Sequence, residues 1–337
     1  MKLMNKIRLL VYVLLLMILS FQYLPSLAQD AIFSQYYSNP LYLNPALAGT
    51  DDCARFKFSY RNQWPSFNNN FTTYSASADR YFRALSGGIG LLVTSDNVGD
   101  NLMNTTRASL IYSVHIRLSK EAILNAGFDA GFHQQRLNYQ ELVFRDMIDE
   151  TTGEITGSSE IPVDNNQVIT SDFSTGLLLG ISKKYFIGIA SHHLTEPTLE
   201  FYNTNNSNFL YRKFTVHAGA RFNLGGNSYN RNDNNFVLSP NVLYQFQQWA
   251  QQINFGLYLE KKPLVAGVWY RQNIGNSDGM SFLAGLHHKW LKIGYSYDVT
   301  LSKLKGTTGG AHEVSLTVLV NCNKKRNKPG AIKCPEF

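Results

Sequence analysis

The sequence predicts an all-β fold: a transmembrane outer-membrane β-barrel of about fourteen antiparallel strands, with an amino-terminal plug segment. Three observations predict it. Apolar and polar residues alternate along successive stretches of about ten residues from Cys53 onward, the period-two signature of strands with two unlike faces. The links between those stretches are short and long in turn, as on the two rims of such a barrel. Aromatics make up 13% of the chain and charged residues only 16%, well under the roughly 25% usual in soluble domains.

Each part of the chain follows in order. Residues 1–28 read as a signal peptide. Lys2, Lys6 and Arg8 are its positive region, Leu9 to Leu19 its apolar run, and Ser26-Leu27-Ala28 its small-x-small cleavage site. Gln29 follows that site, so there is no acylation cysteine there. Past the leader, no apolar run of about 18 residues remains to form a membrane helix.

Residues 29–52 are an irregular segment containing "FSQYYSNPLYLNPALAGT". Asn39-Pro40 and Asn44-Pro45 exclude a regular helix or a central strand, because proline fixes φ, lacks a donor and restricts the residue before it. Yet it carries Phe33, Tyr36, Tyr37, Leu41, Tyr42 and Leu43 together, which favours a packed segment over the alternative of a solvated linker. Non-helical backbone is tolerated at membrane depth only when protein or a water-filled cavity surrounds it. A plug inside the barrel mouth meets that condition.

Residues 53–321 are the barrel. The expected strands are 53–62, 71–82, 87–95, 106–119, 122–135, 168–182, 184–192, 209–224, 235–246, 251–261, 263–271, 279–287, 289–299 and 311–321. In the stretch from Trp290 to Thr300, Leu291, Ile293, Tyr295, Tyr297 and Val299 face one way, and Lys292, Gly294, Ser296 and Asp298 the other. Pro240 is anomalous within its strand. Tight links fall at Arg83 to Ser86, Lys120-Glu121, Lys183, Lys262 and His288. Long polar ones fall at 63–70, 96–105, 136–167, 193–208, 272–278 and 301–310. The links 225–234 and 247–250 depart from the rule. Residues 322–337 are a basic tail, expected in the periplasm, where both termini belong if the short turns face that side.

The face opposite the apolar one is small and polar. It carries Arg55, Lys57, Ser59, Arg61, Arg107, His115, Arg117 and Arg221, with Asp79, Asp129, Asp172, Asp298 and Glu313 as acidic partners. Such charges pair with each other or with a plug; alternatively they line a basic lumen that steers an acidic ligand. Gly88, Gly90, Gly127, Gly131, Gly176, Gly180, Gly219, Gly256 and Gly285 lie on the same face and leave room for a backbone pressed on the wall. Cys322 and Cys334, close in sequence, are the expected disulfide; three free thiols, Cys53 included, are the alternative.

Catalysis and metal binding find little support. No G-x-S-x-G elbow is present. His192-His193 and His287-His288 are adjacent pairs whose side chains point to opposite faces of a strand. The net charge of +7 is scattered, without a run that suits nucleic acid. The link 136–167 is long and acidic, with Asp146, Asp149, Glu150, Glu154, Glu160 and Asp164, and is expected outside the cell.

The opening "FSQYYSNPLYLNPALAGT", followed by "YRNQWPSF" at Tyr60 to Phe67, resembles the start of the PorP/SprF family, outer-membrane proteins of the type IX secretion system of Bacteroidota. The closing pieces "HEVSLTVLVNC" and "KCPEF" are similar to that family's terminus. The resemblance implies a non-enzymatic role in secreting or anchoring large surface proteins, gliding adhesins among them. Its implied partners are a secreted adhesin or its C-terminal sorting domain, and periplasmic components of the secretion system, with outer-membrane lipid around the barrel. No cofactor is implied. The residues expected to form the plug or meet a partner are Tyr36, Asn39, Pro40, Asn44, Pro45, Ala46, Gly49, Arg61 and Trp64. The Asn44-Pro45-Ala46 step also resembles the hatch of fatty-acid-transporter-type barrels, so a transporter or porin for small or hydrophobic molecules is the alternative function.

Overall fold

The structure, a computed structural model, describes residues 30–51, 53–67, 70–139, 142–149, 151–155, 166–199, 201, 208–224, 235–273, 276–301 and 308–322. The expected leader and the tail beyond Cys322 lie outside these residues.

Fourteen antiparallel strands form one closed cylinder. They are β1 (Ala54–Gln63), β2 (Phe71–Phe82), β3 (Gly87–Val98), β4 (Met103–Arg117), β5 (Ala122–Leu137), β6 (Gln167–Ile181) and β7 (Tyr185–His192). Then come β8 (Lys213–Ala220, resumed at Phe222–Asn223), β9 (Val237–Gln247), β10 (Ala250–Lys261), β11 (Leu264–Asn273), β12 (Asn276–His288), β13 (Leu291–Thr300) and β14 (Ala311–Val320). Each strand pairs with its sequence neighbours, and β1 closes on β14 from Ala54↔Val320 to Gln63↔Ala311. An even count is what lets the first and last strands meet antiparallel.

Polarity is inverted relative to a soluble sandwich. On β1, Arg55, Lys57, Ser59 and Arg61 are buried while Phe56, Phe58 and Tyr60 are exposed. The same holds around the ring, where Leu91, Leu110, Phe128, Leu177, Ile189, Phe214, Phe255, Phe282 and Ile293 stand outward. Alternation alone does not separate a barrel in lipid from a water-soluble β-protein. An apolar belt outside and polar residues inside, on a cylinder with no free edge, do separate them. Exposed Trp249 and Trp290 sit at opposite rims, where the amphipathic indole suits the membrane interface.

Several expected boundaries are corrected. The link expected at 96–105 shrinks to 99–102, because Asp96, Asn97, Asn104 and Thr105 continue the β3–β4 ladder. The link at 272–278 shrinks likewise, since β11 reaches Asn273 and β12 begins at Asn276. Polar residues can stay in a ladder where the wall rises past the apolar belt. The eighth strand starts at Lys213 rather than 209 and breaks at Arg221. That break accounts for Pro240. The β8–β9 pairing stops at Asn241↔Gly219 and resumes at Leu238↔Phe222, so the ladder is interrupted beside the residue that has no N–H to give.

The disulfide is also corrected. Cys322 is joined to Cys53, with 4.3 Å between their Cα atoms, and not to Cys334, which lies outside the described residues. Cys53 directly precedes β1 and Cys322 follows β14 by one residue, so barrel closure itself makes them neighbours.

Candidate functional site

The segment expected to be a plug is buried from Phe33 through Leu41 and again from Leu43 to Gly49. It folds as three short helical turns, Tyr36–Ser38, Pro40–Leu43 and Pro45–Leu47. The second and third each begin on the proline of an Asn-Pro step, where a missing N–H costs nothing. Asn44 caps the third, its side chain accepting from the Ala46 N–H at 2.9 Å.

These turns press on the inward face of the strands. Gly88 lies against Ala48 and Gly49, Gly90 against Leu41, Gly127 against Pro45 and Ala46, and Gly176 against Asn44. A Cβ on Gly88 or Gly127 would collide with the segment's backbone. Gly219 and Gly256 instead make room for wall side chains, Phe186 and Trp269. Asn44 donates through Nδ2 to the carbonyls of Leu177 and Ile189, at 3.1 and 3.2 Å, reaching between two strands. The Ala46 carbonyl accepts from Ser113 and from Asn125, both at 3.2 Å. The Gly49 N–H donates to Asp79 at 2.7 Å, and Asp79 also pairs with Arg55 at 2.8 Å. Gly49 takes φ +69°, a value that favours glycine.

The other end of the segment meets charges. Glu313 accepts the N–H groups of Ser34 and Gln35 at 2.7 and 3.2 Å. The Ser34 hydroxyl donates to Asp298 and accepts from Arg61 at 2.6 Å and from Arg271 at 3.1 Å. Arg61 joins Asp298 at 2.9 Å and Glu313 at 3.3 Å. Between the two ends Tyr36, Tyr37, Leu43, Ala46 and Leu47 form an apolar cluster with Phe186, Leu243, Tyr258 and Trp269. Tyr36 Oη donates to Asn254 at 2.8 Å.

Register gives the depth of each contact. Gly88 lies at the start of β3, beside a short turn, whereas Arg61, Arg271 and Asp298 lie near the ends of β1, β11 and β13, at the opposite rim. The segment therefore runs through the lumen both along and across the cylinder.

Of the residues expected at this site, Tyr36, Asn39, Pro40, Asn44, Pro45, Ala46 and Gly49 are buried in the segment, and Arg61 is buried in the wall against it. Trp64 is not part of the cluster. It sits in the link after β1 at φ 60°, donates its N–H to the Gly310 carbonyl at 2.8 Å and contacts Phe67 and Phe71. Arg117, expected inward, is exposed at a turn and bonds the Ser119 carbonyl at 3.1 Å. Ser34, Gln35 and Arg271 were missed as site residues; two polar positions opening an otherwise aromatic stretch were the available signal.

Other inward charges pair within the wall, and Lys57 donates to the Tyr37 carbonyl of the segment at 3.1 Å. Arg107 meets Asp129 at 3.1 Å and Asp172 at 3.0 Å, and Arg221 meets Glu260 at 2.6 Å. His193 takes φ 56° where β7 has ended, so both rings of the His192-His193 pair are buried, contrary to the opposite-face expectation. His193 bonds Asp172 at 3.0 Å. Among the described residues, no group of three or more His, Cys, Asp or Glu is placed to hold a metal. In the acidic link, exposed Asp149 accepts the N–H groups of Thr152 and Thr151, which hold its carboxyl below the usual range.

The sequence matches the model of the type IX secretion system membrane protein PorP/SprF over residues 26–318. The chain belongs to this family. It is thus a non-enzymatic outer-membrane component of the PorP/SprF type. Among curated proteins no sequence matches it. Of solved structures, the PorP/SprF chain is similar to the Ralstonia pickettii toluene transporter TbuX, with 11% identity and a TM-score of 0.50, over 83% of this chain and 93% of that one. A Pseudomonas aeruginosa FadL homologue gives 13% identity and a TM-score of 0.46, over 83% and 93% of the two chains. The Acinetobacter baumannii outer membrane protein Omp33 gives 7% and 0.45, over 79% and 98%. At these identities TbuX supports the barrel fold alone.

Proposed function

We propose that this PorP/SprF barrel helps secrete or anchor surface proteins, gliding adhesins among them, and that its amino-terminal segment is a plug that keeps the lumen shut. The observation that carries the reading is the contact of glycine-lined strands with Asn44–Gly49, at the opposite end of the segment from the Ser34–Glu313 bonds. A barrel filled this way is suited to gripping a partner at its rim rather than to free diffusion. The long links are the surface a sorting domain would meet, and periplasmic secretion components would meet the short-turn rim. In this reading the short turns and the chain past Cys322 face the periplasm. The matching orientation of the amino terminus rests on residues 1–29, outside the described residues.

The test is deletion of the gene in its own host, followed by comparison of surface and medium proteins. Loss of specific adhesins from the surface, with retention or leakage elsewhere, is expected. An unchanged surface and medium would refute the reading. A second reading, passage of small hydrophobic molecules, is favoured by the aromatic cluster of Tyr36, Tyr37, Phe186 and Trp269 inside the lumen. Uptake by liposomes carrying the purified barrel would support it.

A further inference from the structure

We infer that the plug opens from one end: Ser34–Gln35 is a releasable latch, and Asn44–Gly49 is a fixed hinge. The inference rests on the reading of the segment as the closure of the lumen and goes beyond it to how the closure moves.

The two ends are held by different physics. At the hinge, backbone lies on backbone. Pro45 and Ala46 touch Gly127, and Ala48 and Gly49 touch Gly88, with no side chain between that could rotate away. Moving that contact means moving the wall. The hinge also continues into β1 through Cys53, which is tied to Cys322 on the last strand. At the latch, by contrast, Glu313 accepts two backbone N–H groups, Ser315 donates to the Gln35 side chain at 2.5 Å, and the Gln35 amide donates to the Glu313 main-chain carbonyl at 3.0 Å. Each of these hydrogen bonds between wall and segment has a rotatable side chain on one side or both.

Release of the latch leaves both of its carboxylates paired. Asp298 and Glu313 keep Arg61, at 2.9 and 3.3 Å, and Asp298 keeps Arg271 at 3.4 Å. A buried carboxylate left alone would oppose opening strongly, whereas one that retains a guanidinium does not. The latch also lies toward the long links, on the side where an arriving partner domain would act, while the hinge lies toward the short turns.

The test is amide hydrogen exchange on the full-length barrel in detergent, resolved for residues 33–38 and 44–49. Ser34→Ala combined with Gln35→Ala removes the segment's side-chain contacts and leaves the wall's ion pairs intact. Exchange over 33–38 is expected to rise at least about tenfold, because the two side chains make several of the latch's hydrogen bonds and each contributes only modestly net, with 44–49 unchanged. The Ser296 hydroxyl accepts from the Gln35 amide at 3.2 Å, so Ser296→Ala with Ser315→Ala loosens the same latch from the wall side and should do the same. Heat-modifiable gel migration verifies that both variants keep the barrel. Parallel rises over both stretches would mean the segment moves as one body and would overturn the inference; so would no change over 33–38. Exchange needs neither secretion nor conductance, so a failed latch and a failed plug are told apart.

Discussion

Asn44 ties the plug to two strands of the wall at once. It caps its own turn and bridges the carbonyls of Leu177 and Ile189. Asn44→Ala removes the cap and both bonds to the wall, and should cost about 1–3 kcal/mol, read as a lowered melting temperature in detergent. Gly127→Val drives a branched side chain into the backbone at Ala46 and should cost about 1–3 kcal/mol by overpacking. Much at this scale was legible. The two Asn-Pro steps marked the irregular segment, and period-two alternation put Gly88, Gly127 and Gly176 on its side of the wall. The partners of Ser34 were not legible. Arg61, Arg271, Asp298 and Glu313 come from four strands, and alternation says which face a residue takes but not its height on the cylinder.

At the scale of elements, strand positions followed from alternation, while several ends did not. Asp96 and Asn104 read as loop because they are polar, yet the wall extends beyond the apolar belt and keeps them paired. The cysteines teach a related lesson. Closeness in sequence favoured Cys322 with Cys334; closure of the first strand on the last favours Cys53 with Cys322. Peptide mapping of unreduced protein should recover the Cys53 and Cys322 peptides joined. A Cys322–Cys334 link would contradict the seam. Replacing Cys53 by Ser should lower stability by about 2–4 kcal/mol, measured by urea unfolding, since the bridge spans nearly the whole chain.

For the whole molecule, the inverted polarity makes a directional claim. Leu110, outward and 61% exposed at the middle of β4, lies within the lipid belt. Leu110→Arg should cost about 2–4 kcal/mol in lipid vesicles. Glu154→Arg, on an exposed link, should stay within about 0.5 kcal/mol. Fold class was legible because a bilayer permits few solutions, and strand alternation with the rim asymmetry selects one of them. Family membership came through the opening and closing motifs rather than the middle of the chain.

Single-channel recording in planar bilayers tests the central claim most directly, by comparing the intact barrel with one lacking residues 33–49. The intact chain should stay closed and the shortened one conduct steadily. Equal, steady conductance from both would contradict a lumen shut by its own amino-terminal segment.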